Sequence, residues 1–561
     1  MELEDLARKY ALKNAVEHEG ECNTNAVIGQ IFAESEFQDK GKVGRAAGKI
    51  CGEINQMSLE EQKEEIEAYE YEEPEKEEHD PIPDLEVEDG EDVVLRLAPN
   101  PNGAPHIGHG RMAVINGELK KKYDGKLILR YDDTDPQTKR PLKNEEYDAY
   151  KMQKEDFEWL GYDIDEVRYC SKNFDTYIEY AEELIEMNKA YVCFCSQEEG
   201  QKYRKEGKAC PHRDQDISET FTHWEEMKKD GGAIEEGEAT LKVKTDLNHK
   251  NPAIRDFVAF RIIDNPDHPI TGDEYRVWPM LDFQGAIEDH EMGTTHIFRG
   301  KELRASKERQ EYIYDYLNWE YPHVNHWGNV QISGLNAPVS GSELNKMIEK
   351  NELEGWSDPR APTLRALRRR GFQPEAIREF FIEMGVTEND VDASIEGLEK
   401  ANTRVIDEAS DRAFFVREPI SVKIEDCPND LKAEIPVHPE YPERGNREYD
   451  LDVESSKVEV YIEENDLEDG FFRLKGLCNV RIEDGRATFE PGDHKTALKN
   501  DGDFIHWAPM SAEDAVVRMP NGDTENGLLE PKDIAIGEVV QFERFGFVRK
   551  DSEHTFFYGH Q

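Results

Sequence analysis

Apolar residues recur at three- and four-residue spacings in "LARKYALKNAVEH" (6–18) and "NTNAVIGQIFAES" (23–35), the spacing of a helix face. Asn23 and Thr24 stand where the second of these needs a cap. The pattern predicts a small helical extension over residues 1–68. Between residues 60 and 90 there are two lysines, no arginine, dense acid and Pro74, Pro81 and Pro83, which predicts an acidic linker or solvated face over 69–90. Strand-like runs then alternate with helical ones: VVLRLA (93–98), KLILRYD (126–132), HIFRG (296–300) and HWGNVQIS (326–333), against "EEYDAYKMQKEDFEWLG" (145–161) and "LRASKERQEYIYDYLNW" (303–319). That alternation predicts a parallel sheet flanked by helices. "TLRALRRRGFQPEAIREFFIEMG" (363–385) predicts helix, and beyond residue 410 short β-type runs split by Gly, Pro and Asp predict β-barrel structure.

Composition adds a constraint on environment. Lys and Arg number 70 against 123 Asp and Glu, a net charge of −53 spread along the whole chain. Such a surface repels itself in dilute salt, and molar salt, with a Debye length of about 3 Å, screens that repulsion; the expectation is a halophile's protein. No run reaches the roughly 18 apolar residues of a membrane span, and "MELEDLARKY" is too charged for a signal peptide, so no membrane partner and a cytoplasmic location are expected. Eight cysteines do not make a disulfide framework in 561 residues. Cys193, Cys195, Cys210 and His212 form two close pairs, a ligand set that suits a structural tetrahedral zinc.

The stretch "PNPNGAPHIGHGRMAVINGEL" (99–119) carries the candidate chemistry. Its Pro/Gly cluster ends the strand before it, and His106 and His109, three apart, share a face on the first turn of a helix. A strand, a tight turn and a helix N-terminus together make an anion site, because free N–H groups and the helix dipole favour phosphate there. Gly108 would let an adenine approach the backbone closely, and two imidazoles can donate to phosphate oxygens as charge builds.

"RLAPNPNGAPHIGH" (96–109) resembles the first signature of class I aminoacyl-tRNA synthetases, in the archaeal-type form of the glutamyl/glutaminyl branch. "LRYDDTDPQ" (129–137), "WPMLDFQGAIEDHEMGTTHIFRGKE" (278–302), "TLRALRRRGFQPEAIREF" (363–380), "HPEYPERGNR" (438–447) and "VVQFERFGFVR" (539–549) resemble the same branch, in its order. The resemblance implies a multidomain α/β protein: a Rossmann-like catalytic domain in two halves (91–190 and 276–345), an acceptor-stem-binding insertion (191–275), a helical stem-contact domain (346–409) and an anticodon-binding β-barrel region (410–561). It implies ATP- and Mg²⁺-dependent ligation of L-glutamate to tRNA(Glu) through glutamyl adenylate. Misacylation of tRNA(Gln), served by a tRNA-dependent amidotransferase, would accompany it in many archaeal-type members.

Carried over residue by residue, the resemblance assigns His106, His109, Ser340 and Ser342 to catalysis. Pro99, Asn100, Pro101, Gly103, Gly108 and the two histidines would bind ATP. Arg96, Ala98, Asn100, Asp132 and Arg299 would bind glutamate, and Arg365, Arg368, Arg369 and Arg370 would bind tRNA. Arg299 favours glutamate over glutamine, since a guanidinium fork suits a carboxylate. Two departures stand out: Leu281 replaces an aromatic of the pocket wall, and in "PVSGSELNKM" (338–347) Gly341 stands where the branch's mobile loop has lysine. The alternatives are a glutaminyl enzyme and a non-catalytic tRNA-binding paralogue.

Overall fold

The computed structural model describes residues 3–17, 20, 22–34, 40–66, 69, 81–88 and 90–561. The chain forms two compact units, Met1–Asp80 and Pro81–Gln561.

The first unit holds helices α1 (Leu3–Glu17), α2 (Thr24–Glu34), α3 (Lys40–Ile54) and α4 (Leu59–Ile66). The apolar spacing read from the sequence becomes one core, with Leu6, Tyr10, Val27, Ile31, Val43 and Ile50 all buried. Asn23 precedes α2 and accepts the Ala26 N–H at 3.4 Å, while Ser58 and Glu61 form a reciprocal cap on α4. Most of the expected acidic linker, 70–80 and residue 89, lies outside the described residues. Its last part is not free in solvent: Ile82 is buried, the Leu85 N–H donates to the Tyr123 hydroxyl at 2.7 Å, and Lys122 donates to the Ile82 carbonyl at 3.1 Å.

In the second unit, strands β1 (Val94–Leu97), β2 (Lys126–Tyr131) and β3 (Glu166–Tyr169) pair in parallel. Helix α5 (Ile107–Tyr123) connects β1 to β2 and ends on Asp124 in the left-handed region (φ 51°). Helices α6 (Ala149–Trp159) and α7 (Phe174–Glu186) follow β2 and β3 respectively. An antiparallel insertion comes next, β4 (Ala190–Cys193), β5 (Thr240–Val243), β6 (Phe257–Ile262) and β7 (Val277–Pro279), with α8 (Gln197–Glu206) and α9 (Ile217–Lys228). After α10 (Leu281–Glu291), β8 (His296–Gly300) and β9 (His323–Trp327) flank α11 (Arg304–Leu317) and pair in parallel. Thr295 ties β8 to β1: its N–H donates to the Val94 carbonyl at 3.0 Å, and its hydroxyl accepts the Val94 N–H at 2.9 Å. The strand order is therefore β3-β2-β1-β8-β9, which reverses direction between β1 and β8. Ligands of such sheets bind at the strands' carboxyl ends beside that reversal.

Strand β10 (Val330–Ser333) and helix α12 (Gly341–Glu349) lead into α13 (Leu364–Arg369), α14 (Pro374–Met384), β11 (Val391–Ser394) and α15 (Ile395–Ile406). The single helical run expected over 363–385 is two helices, because Gly371 takes φ +97° and Pro374 opens the second. Beyond residue 410 there are two seven-stranded sheets. In one, the terminal strands of the order are Arg412–Ala413 and Phe415–Arg417; in the other they are Asp503–Ile505 and Ala508–Pro509. In each sheet the two ends are consecutive pieces of chain, so each curls round its own core into a barrel, which leaves few open edges.

Candidate active site

The turn between β1 and α5 is held from three sides. Gln153 of α6 donates to the carbonyls of Asn100 and Gly103 at 2.9 and 3.0 Å. The Asp132 N–H donates to the Pro99 carbonyl at 3.0 Å, and the Asn100 amide returns a bond to the Asp132 carbonyl at 2.8 Å. The Leu142 N–H reaches the Pro101 carbonyl at 2.8 Å, and residues 362–364 close the third side through Ile107 N–H to Pro362 and Leu364 N–H to Pro105. Gly103 is glycine for a packing reason: a Cβ there would lie 2.1 Å from the Trp356 ring. Pro101 and Gly103 are buried within the turn, and Ala98 is half-buried at its start.

At the head of α5 the rings of His106 and His109 stack with centroids 3.9 Å apart. The His106 N–H donates to His109 Nδ1 at 3.3 Å, which leaves the His109 proton on Nε2. Burial pushes the His106 imidazole down to about 4. Burial, the His106 ring and the Lys139 ammonium push His109 well below its ordinary range. Both rings are therefore neutral near pH 7, and His106 Nδ1 is buried without a partner among the described residues, free to serve a ligand. A Cβ on Gly108 would sit 3.1 Å from the His106 ring. Asn102 donates to the Ser342 hydroxyl at 3.1 Å, bringing the loop at 338–342 onto the nucleotide turn. Ser340 caps α12 through its carbonyl, bonded to the Leu344 N–H at 2.9 Å. Lys346 is exposed further along the same helix.

Charged side chains converge at the strand ends. Arg96 Nε pairs with Asp289 at 2.9 Å, and Arg130 pairs with the same carboxylate and with Asp132, both at 2.8 Å. Burial would raise the Asp289 carboxyl, but Arg96 and Arg130 outweigh it and hold it below its usual range. Gln284 donates to Asp132 at 3.1 Å. Arg299 differs from the other two arginines. It is buried, donates to Gln310 at 3.0 Å and to the Tyr321 hydroxyl at 2.8 Å, and has no carboxylate partner among the described residues. Its Nε is buried without any partner. It does not pair with Glu302 or Glu308, as a purely structural arginine at this position would.

Asp289, Arg130, Gln284, Tyr321 and Trp356 were not singled out from sequence. A signal for Arg130 existed, since it precedes Asp132 by two residues at the end of an apolar strand. For Asp289 there was none, because it is one acid of several in "IEDHE". Leu281, expected in the pocket wall, is 48% exposed at the head of α10.

The four arginines near α13 divide. Arg365 forks onto Asp156 at 3.0 and 3.1 Å, and Arg369 forks onto Asp551 at 2.9 and 2.7 Å. Arg370 is buried and donates to the Tyr558 carbonyl at 3.1 Å. These three are committed to holding the helices to their neighbours, and Arg368 alone of the four is exposed. In the insertion, Cys193 Sγ lies 3.8 Å from Cys210 Sγ and 4.0 Å from His212 Nδ1, while Cys195 Sγ lies 3.6 Å from that nitrogen. All four ligand atoms fall within 4.8 Å of one another.

A phosphate-type turn beside a pocket of fixed charges, on a Rossmann-like sheet followed by two barrels, defines a nucleotide-dependent synthetase architecture. Residues 92–408 match the family model of class I tRNA synthetases (E and Q), catalytic domain, and residues 410–496 match the anti-codon binding domain of the same family. The chain belongs to the class I tRNA synthetases of this E and Q group. It is 46% identical to the glutamate--tRNA ligase of Pyrococcus furiosus over 98% of both chains. It is 44% identical to that of Thermococcus kodakarensis, covering 98% of this chain and 97% of the relative. With that of Haloarcula marismortui it shares 42% over 98% of this chain and 95% of the relative.

Proposed function

We propose that this protein joins L-glutamate to tRNA(Glu) in two steps. An α-carboxylate oxygen of glutamate attacks the α-phosphorus of ATP, forming the adenylate and expelling pyrophosphate; a terminal ribose hydroxyl of the tRNA then attacks the carbonyl and releases AMP. Synthetases of this class use ATP and Mg²⁺ in general, and the ion, when bound, offsets phosphate charge. The chain's own residues supply positioning and donors. The neutral His106 and His109 donate to phosphate oxygens without holding a counter-charge that would trap product. Pro99, Asn100, Pro101, Gly103 and Gly108 shape the nucleotide turn, and Ser340 and Ser342 cover it.

The observation that carries the glutamate reading is Arg299, a buried guanidinium that forms no ion pair among the described residues. A carboxylate side chain supplies the missing partner, whereas an amide leaves the charge uncompensated. Arg96, whose Nη atoms make no hydrogen bond among the described residues, serves the side-chain carboxylate together with Arg299, and Asp132 the ammonium, with Ala98 and Asn100 as the pocket floor. The test is tRNA-dependent ATP–pyrophosphate exchange with glutamate and glutamine side by side. Exchange with glutamate is expected. Preference for glutamine would overturn the substrate, and no exchange with either would favour the non-catalytic paralogue.

Two further features support a tRNA substrate. A cavity of about 470 Å³ in the barrel region, lined by apolar residues such as Ile435 and Phe504 together with Arg412, Arg473, Gln541 and the Lys475–Glu543 pair, offers apolar surface and polar groups to an unstacked base. Arg368 is the exposed cation of the α13 group, so Arg368→Glu is expected to weaken tRNA binding several-fold and leave ATP binding unchanged, measured by filter binding and by exchange kinetics. Arg365, Arg369 and Arg370 act indirectly, by fixing the surface that presents it. Charging of tRNA(Gln), with an amidotransferase to complete it, belongs to the same reading, as does a cytoplasmic site of action. Among the described residues no helix is long and apolar enough to cross a membrane.

Cys193, Cys195, Cys210 and His212 fit a structural zinc. Ligands about 2.3 Å (sulfur) and 2.0 Å (nitrogen) from a tetrahedral ion stand roughly 3.5–3.8 Å apart, close to the separations observed. Lys242, buried on the strand paired with β4, brings positive charge to three thiolates. The ion would hold the insertion's shape and take no part in the reaction. About one zinc per chain is expected by elemental analysis, with Cys210→Ser losing it and lowering the melting temperature by several degrees. Zinc-free protein with an unchanged melting temperature would remove the site.

A further inference from the structure

The loop that meets the nucleotide turn offers Ser340, Gly341 and Ser342 but no ammonium, and Lys346 is exposed further along α12. Beside the turn, joined to it through Leu142 and Pro101, runs the segment 135–143, and it is pinned on both sides of one residue. Asp135 accepts the N–H groups of Gln137 and Thr138 at 3.2 and 2.9 Å and the Arg261 guanidinium at 3.0 Å. Arg140 donates to the Asp267 carbonyl at 3.0 Å, and the Leu142 N–H donates to Pro101 within the nucleotide turn at 2.8 Å. Between these anchors stands Lys139. It is exposed and makes no hydrogen bond or ion pair among the described residues, while its neighbours Arg140 and Lys143 pair with Asp267 and Asp148.

Near the nucleotide turn Arg96, Arg130, Arg140 and Lys143 each pair with an acid, and among the described residues Lys139 does not. Lys139 also acts electrostatically on the nucleotide site, since after burial and the His106 ring its charge is what weakens His109 as a base. A cation on this braced segment adds positive potential at the two imidazoles, which favours a polyanion there.

We propose that Lys139 receives the departing pyrophosphate in the adenylation step, supplying from the 135–143 segment the ammonium that the 340–342 loop lacks. The proposal rests on the adenylating activity proposed above. In that step a glutamate carboxylate oxygen forms a bond to the α-phosphorus and the bond from that phosphorus to the bridging oxygen breaks. Pyrophosphate leaves with the bridging oxygen and the electron pair, and no proton need move. The added negative charge on the leaving group is what an ammonium at Lys139 stabilises more in the transition state than in bound ATP. Lys139 and Arg140 sit in the same turn, but only Lys139 can serve without breaking an existing ion pair.

The experiment compares the full chain with Lys139→Met, Lys139→Arg and Lys346→Met in tRNA-dependent exchange and in pyrophosphate inhibition of aminoacylation. Lys139→Met is expected to lower exchange turnover about 100-fold, with the KM values for glutamate and tRNA changed less than threefold and pyrophosphate inhibition weakened at least tenfold. Lys139→Arg should keep at least a tenth of the wild-type turnover. Turnover of Lys139→Met within twofold of wild type overturns the proposal. A rise in the KM for tRNA with unchanged turnover also overturns it, and assigns Lys139 to the acceptor end. If the loss appears in Lys346→Met instead, the ammonium comes from α12. A wild-type chain inactive with both amino acids would overturn the activity itself, an outcome distinct from active Lys139 variants.

Discussion

Replacing Arg299 with leucine is expected to lower kcat/KM for glutamate by two to three orders of magnitude, about 3–4 kcal/mol, while the KM for ATP changes less than threefold. The size follows from burial. A substrate carboxylate placed beside Arg299 loses its water, and without the guanidinium it has no replacement. The fold should survive the change, because the two groups that Arg299 binds also bind each other: the Tyr321 hydroxyl donates to Gln310 at 2.7 Å. An unaltered melting temperature together with a collapsed glutamate response would separate recognition from stability. Arg299→Gln gives the complementary measurement, since an amide there removes the charge that glutamine would leave uncompensated, and the ratio of glutamine to glutamate use should rise. Glutamate kinetics equal to wild type in Arg299→Leu would return Arg299 to a structural role.

Periodicity made the Rossmann-like half readable. The run KLILRY has a continuous apolar centre and is buried at five of its six positions because a central parallel strand is covered on both faces, and the turn between β1 and α5 advertises itself through proline and glycine. Arg299 was readable through the family resemblance of HIFRG, where a guanidinium fork suits a carboxylate. Its partners were not, since Gln310 and Tyr321 come from α11 and the approach to β9, and only the packing of those elements brings them together. The same holds for Asp289. One carboxylate shared by Arg96 and Arg130 is a property of three chain segments far apart in sequence, and no local pattern marks it. The α13 arginines show the converse case. Their density suggested a nucleic-acid face, yet three of the four find acids or carbonyls at residues 156, 551 and 558, and sequence spacing gives no sign of partners that distant.

Gly103→Ala tests how tightly the nucleotide turn is set. The added methyl would lie 2.1 Å from one carbon of the Trp356 ring and 2.7 Å from two more, well inside contact distance. Trp356 is only 2% exposed, and its carbonyl is fixed by the Thr363 hydroxyl at 2.6 Å, so the ring has little room to turn. Expelling it would forfeit roughly 150–250 Å² of burial, about 4–6 kcal/mol. The cheaper response is a shift of the turn, costing about 2–3 kcal/mol of stability as overpacking does. That shift carries His106, three residues on, away from the position it holds against His109 and the phosphates. A displacement near 1 Å in a site that works by positioning lowers the rate about 100-fold, so pyrophosphate exchange should fall by that factor while the glutamate KM, set by Arg96 and Arg299 on the strands, moves less. The double variant Gly103→Ala/Trp356→Leu should recover at least tenfold of the lost exchange, because the smaller side chain yields the space the methyl needs. If the single variant keeps wild-type exchange and melting temperature, the turn is free to adjust and the close fit of Gly103 under Trp356 has no bearing on activation.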